Sequence, residues 1–142
     1  MVVRVKVRLK ALKRGKGKTI EDTALLNAGY ESKNLERVIP VNIAEKLGLR
    51  PKLPEGTEVE DYEVVCGTKI RIHYIEDCLE TQVITEDKNS EPVEAPAVIL
   101  EGEKEILASD KWISAQKIVL EDVGKGIWRF RGEEKRRSEK FT

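Results

Sequence analysis

Residues 23–49, TALLNAGYESKNLERVIPVNIAEKLGL, restrict what this chain can become more than any other stretch. The apolar run Ala24-Leu25-Leu26 stops at Asn27-Ala28-Gly29, and a polar segment from Tyr30 to Arg37 leads to Val38-Ile39-Pro40. Asn and Gly both tolerate the left-handed backbone that ends a strand in a tight turn. A buried strand stopping there presents one short polar side chain, that of Asn27, at its tip. Residues 40–47 read as a short helix, with Pro40 suited to the first turn and Gly48 to the C′ position. Val41, Ala44 and Leu47 recur three apart as its buried stripe.

The remaining sequence is mostly strand. Val3, Val5, Val7 and Leu9 alternate with Arg4, Lys6, Arg8 and Lys10, the period of two of a half-buried strand with a basic outer face. Residues 13–18 read as a hairpin loop, residues 19–26 as the return strand and residues 51–56 as a stiff turn. From Val59 two further strands follow, and their turn has two candidate registers. One centres on Cys66-Gly67-Thr68; the other falls at Glu76-Asp77, between strands 68–75 and 78–85. Ile70 and Ile72 alternate with Lys69, Arg71 and His73, which puts His73 on the exposed face. Residues 86–96, with two prolines, read as a surface loop. Val98-Ile99-Leu100 and Ile106-Leu107-Ala108 are buried strand runs, and a helix is expected from an N-cap at Asp110 to about Gln116. Strands 117–120 and 127–130 flank a turn at Val123-Gly124-Lys125-Gly126. Trp112 and Trp128 read as core or interface anchors. Beyond Arg131 the sequence is nearly all charged, so residues 1–130 form the expected domain and residues 131–142 a mobile tail.

Composition narrows the function. At 142 residues the chain is one domain, of a size that buries roughly 68–70% of its unfolded surface. Lys+Arg and Asp+Glu both number 26, which argues against general affinity for nucleic acid or an anionic membrane and makes the basic strand face a solvated one. No apolar run approaches a bilayer span, and the alternating start is unlike a signal peptide, so the expected location is cytoplasmic. Charged residues are 37% of the chain, a bias that suits a thermophile's surface ion-pair networks. Cys66, Cys78 and the lone His73 do not make a zinc ligand set; a disulfide between the cysteines stays open. No cofactor or metal is expected.

The stretch 23–49 resembles the active-site segment of the retropepsin-like aspartic peptidases, of archaeal or thermophile type. That pattern is two apolar residues, Asp-Thr/Ser-Gly-Ala, a polar segment, an apolar pair with Pro, and a helix ending Leu-Gly-Leu. Ala24-Leu25-Leu26, Gly29, Ser32, Val38-Ile39-Pro40, Ala44 and Leu47-Gly48-Leu49 fall where it requires them. Asn27 stands at the catalytic Asp and Ala28 at the Thr or Ser. Ile106-Leu107-Ala108-Ser109-Asp110 resembles the family's second signature, with Ala108 in place of Gly.

The resemblance implies an all-β fold, a closed barrel-like lobe with one or two short helices and one lobe per chain. It further implies a homodimer that hydrolyses peptide or unfolded protein at a site shared by two subunits. Position 27 would be catalytic, Gly29 would shape the turn, and Ala28 would replace a hydroxyl that braces the two loops. Tyr30 and Glu31, with Cys66, Gly67 and Thr68 at the tip of a covering flap, would contact the peptide. Asn cannot act as the general base, so the chain as written is expected to be inactive, whether Asn27 is natural or a deliberate replacement of Asp. The alternatives are a naturally non-catalytic peptide-binding or scaffolding homodimer with the same fold, and an unrelated β-barrel interaction module.

Overall fold

The computed structural model describes residues 3–12, 17–26, 37–50, 56–63, 69–100 and 102–138. The first strand, β1 (Val3–Ala11), shows the alternation its sequence requires: Val3, Val5, Val7, Leu9 and Ala11 are buried. Each large apolar side chain moved from water into the core contributes about 1.5–3 kcal/mol. Three basic residues of the other face meet acidic partners. Arg8 and Lys6 pair with Glu21, and Arg4 pairs with Glu105. Hydrogen bonding from Arg8 holds the Glu21 carboxyl below its ordinary range.

Antiparallel to β1 lies β2 (Thr19–Leu26), in register from Val3↔Leu26 to Lys10↔Thr19. The other strands are β3 (Arg37–Ile39), β4 (Glu58–Glu63), β5 (Lys69–Val83), β6 (Val93–Leu100) and β7 (Ile106–Ala108). They form a seven-stranded sheet in the order β1-β2-β7-β3-β6-β5-β4. An additional ladder between β1 and β5, from Val7↔Val83 to Ala11↔Leu79, closes six of these strands into a barrel and leaves β4 as an outer strand on β5. The fold is all-β with two short helices, as expected. Closure removes the edges of the six strands that an open sheet exposes to wrong pairing.

Helix α1 (Val41–Lys46) is entered through Pro40 and buries Ile43 and Ala44, with Leu47 and Leu49 buried beyond it and Val41 partly so. Gly48, at φ 76°, is its C′ residue. Its N–H donates to the Glu45 carbonyl at 3.1 Å and the Leu49 N–H to that of Ala44 at 2.9 Å. This is the Schellman arrangement that the Leu47-Gly48-Leu49 sequence favours. Helix α2 (Asp110–Ala115) starts one residue earlier than expected. Its N-cap is Ser109, whose Oγ accepts from the Trp112 N–H at 3.3 Å, and Asp110 is the first helical residue.

A second sheet pairs β8 (Ile118–Asp122) with β9 (Ile127–Phe130) across a 3-10 turn at Val123–Lys125. β8 begins after Lys117, which sits at φ 60° as the residue following the α2 cap. Both tryptophans are core residues, fully buried.

Four expectations change. β5 runs unbroken through Glu76 and Asp77, so the turn register at those residues is wrong. Those residues instead lie in a bulge: the ladder to β6 shifts between Ile75↔Ala97 and Leu79↔Ala95, with Pro96 opposite. Proline lacks the N–H that a regular ladder needs, and a bulge is where a strand tolerates it. The surface loop expected over residues 86–96 is correspondingly shorter, because β6 starts at Val93. His73 is buried, not exposed, because its partner on β6 is the core residue Ile99. A one-residue change of register turns every side chain to the other face. Finally, residues 131–138 pack against the body rather than trailing from it, and Arg137 is 2% exposed. The readings placed on residues 13–16, 27–36, 51–55, 64–68 and 139–142 lie outside the described residues.

Candidate functional site

The elements that carry the two signature segments meet at Ala108. β2 runs parallel to β7, pairing Ala24↔Ile106, Leu25↔Leu107 and Leu26↔Ala108. On the other side of β7, β3 runs antiparallel, pairing Arg37↔Ala108 and Val38↔Leu107. β2 ends at Leu26 and β3 begins at Arg37, and both residues are partners of Ala108. Asn27, Ala28, Gly29, Tyr30 and Glu31 belong to the connection between these two points and lie outside the described residues. What the fold fixes is the base from which position 27 departs: the end of a buried strand, beside the end of a parallel buried strand.

That base is braced from behind by a buried polar network. Ser109, directly after Ala108, is fully buried and caps α2. The indole Nε1 of Trp112 donates to Thr81 Oγ1 at 2.8 Å, and Thr81 Oγ1 donates to the Val93 carbonyl at 2.7 Å. Ser90 Oγ donates to Gln116 Oε1 and accepts from the Val83 N–H at 2.8 Å. Buried polar groups that find partners in this way fix one arrangement of the elements they join. Here they lock α2 to β5, so the end of β7 cannot shift without breaking several bonds. Sequence patterning gave no hint of Thr81, Ser90 or Gln116 in this role, since isolated polar residues carry no periodicity.

β4 and β5 form the hairpin whose turn was expected at Cys66-Gly67-Thr68, with Glu63↔Lys69 as the last ladder pair. Its connection is residues 64–68, which include Cys66, Gly67 and Thr68; these three also lie outside the described residues. Cys78, the other cysteine, is fully buried in the barrel core at the β5 bulge.

Among the described residues, no group of three or more His, Cys, Asp or Glu side chains could hold a metal ion. No described helix is long and apolar enough to cross a membrane. An open depression lined by Glu121, Arg129, Gly132, Glu133 and Glu134 lies beside the β8–β9 hairpin. Its side-chain walls are charged, Arg129 is paired with Glu121, and no apolar side chain lines it as one would line a peptide groove.

No family model matches the sequence, and no curated protein matches it. A structural match exists. The chain is similar to the crystal structure of the retroviral protease-like domain of Ddi1 from Leishmania major, with a TM-score of 0.53. The match covers 94% of this chain and 92% of that one at 12% identity. The shared property is the fold, which is retropepsin-like.

Proposed function

We infer that a chain with this retropepsin-like fold supplies half of an aspartic endopeptidase site, completed by a second copy, and that Asn27 stands at the position of the catalytic Asp. The observation that carries the reading is the double pairing of Ala108. It puts the strand ending at Leu26, one residue before Asn27, against the segment that resembles the family's second signature. In such peptidases two carboxylates share a proton; their mutual repulsion splits the two pKa values, so one acts as acid and the other as base on a bound water. One chain carries one such position, so the pair requires a twofold dimer. The substrate class is peptide or unfolded protein, held under the β4–β5 hairpin.

With Asn at position 27 the chain binds without cleaving, because an amide neither takes the proton nor carries the charge that polarises the water. Asn27→Asp changes one atom of similar size and supplies both. Expected is cleavage of an unfolded protein, favoured by acid and blocked by a statine-type inhibitor. The expected gain over the unaltered chain is at least about 10²–10⁴-fold, the range set by a positioned acid–base group. A dimeric Asn27→Asp chain that cleaves nothing between about pH 2 and 7 overturns the peptidase reading.

The second reading, a peptide-binding homodimer that never cleaves, is favoured by Ala28, which removes the bracing hydroxyl independently of Asn27. An inert Asn27→Asp chain that still binds peptide in its groove would support it.

A further inference from the structure

Residues 131–138 reverse direction after β9 and run back along it. Arg137 forms an antiparallel bridge with Trp128. The Trp128 N–H donates to the Arg137 carbonyl at 2.9 Å, and the Arg137 N–H to the Trp128 carbonyl at 2.7 Å. β9 is four residues long and its opposite edge belongs to β8, so this strap covers the middle of its remaining edge. The reversal is made at Gly132, φ 84°, next to a bond from the Glu133 N–H to the Phe130 carbonyl at 3.1 Å.

One side chain fastens the strap. The Arg137 guanidinium is 1% exposed and forks onto Asp87, with Nη1–Oδ1 at 2.6 Å and Nη2–Oδ2 at 3.1 Å. It lies 5.3 Å from the centre of the Phe130 ring and 5.9 Å from that of Trp128. Asp87 belongs to the connection between β5 and β6, where Lys88 also pairs with Glu133 of the strap. The strap therefore makes all these contacts with groups that any other copy of the chain presents in the same geometry. It is tethered by a short turn whose backbone only glycine adopts without strain. Identical elements on such a tether are the ones that exchange between protomers.

We propose that residues 133–138 form an exchangeable strap, held on its own β9 by the Asp87–Arg137 fork and the Gly132 turn, and that opening the turn transfers it to β9 of a second copy. The exchange is independent of the peptidase reading: it adds an association to whatever assembly the unaltered chain forms, monomer or dimer.

Gly132→Val tests it. A Cβ at position 132 would meet no atom within 4 Å, so the substitution acts on the turn through its positive φ and not through a clash at the Cβ. Two quantities are read in the unaltered chain and the variant over a range of concentrations: mass by sedimentation, and hydrogen exchange at the Trp128 amide, whose bond goes to the strap and not to β8. The unaltered chain is expected to protect this amide at every concentration. The variant is expected to exchange it roughly tenfold faster when dilute. When concentrated, it should regain protection and form an assembly twice the mass of the unaltered chain's.

Asp87→Ala removes the fork's acceptors from the closed and the exchanged arrangement alike, so it should speed exchange at the Trp128 amide at every concentration without raising the mass. The proposal is overturned if Gly132→Val keeps the unaltered mass at all concentrations, or if its Trp128 amide stays exposed when concentrated. It is equally overturned if Asp87→Ala leaves that amide as protected as in the unaltered chain.

Discussion

A left-handed backbone costs a non-glycine residue about 1–2 kcal/mol, and Lys117 adopts one at φ 60°. It does so because α2 must end there: the Lys117 N–H donates to the Ser114 carbonyl at 2.9 Å, and its own carbonyl accepts from the Arg131 N–H at 2.7 Å. The same job at the end of α1 falls to Gly48, where glycine suffers no such cost. Lys117→Gly is expected to stabilise the fold by about 0.5–1 kcal/mol after the entropy glycine adds to the unfolded chain. A rise of roughly 2–4 °C in the thermal midpoint checks it. The two caps also show what a sequence reveals at this scale. Gly48 was legible because glycine follows an apolar helical stripe, whereas nothing in the lysine at 117 marks a cap, so the expected strand began one residue early. Asn27, which the proposed function puts at the catalytic position, lies beyond the last described residue of β2, Leu26.

Elements were legible where one face repeats and obscure where long-range pairing overrides the local pattern. β1 shows its alternation because it is half-buried along its whole length. β5 does not, because its inward positions include the polar His73 and Thr81, and only the register with β6 reveals which face is buried. The charged C-terminal strap was least legible. High charge normally marks solvated chain, yet here Asp87, half exposed on a loop fifty residues away in sequence, neutralises a buried guanidinium. That partnership makes a pH prediction. The Arg137 fork, as the largest influence, holds the Asp87 carboxyl far below its ordinary value of 3.8. A depressed folded pKa means the contribution is fully present above the unfolded value. It falls as pH drops below about 3.8 and is gone once pH passes the folded pKa. Asp87→Asn should therefore lower the urea midpoint by a constant amount from pH 7 down to about pH 4, with the gap narrowing at more acid pH. A gap that widens toward acid pH would contradict this sign.

At the scale of the molecule, closure of six strands into a barrel fixes how the ends of its strands sit beside one another. β2 and β7 are parallel neighbours that end together at Leu26 and Ala108, and the buried network around Thr81, Ser90 and Gln116 keeps α2 from moving away from them. The connection that starts at Asn27 is thus launched from a rigid base, which is what a catalytic or binding loop needs in order to meet a partner's loop in one geometry. A single lobe offers one such loop, so the proposed site requires a second copy bringing its own position 27 alongside. The direct test is a proximity measurement. Asn27→Cys, in a chain with Cys66→Ser and Cys78→Ala, is treated with a short bifunctional maleimide, and Val123→Cys in the same background serves as an exposed control. A dimer cross-linked from residue 27 to residue 27 is expected, at dilutions where the control stays uncrosslinked. Residue 27 remaining uncrosslinked in a sample that sedimentation shows to be dimeric, or a chain that is monomeric throughout, would contradict it.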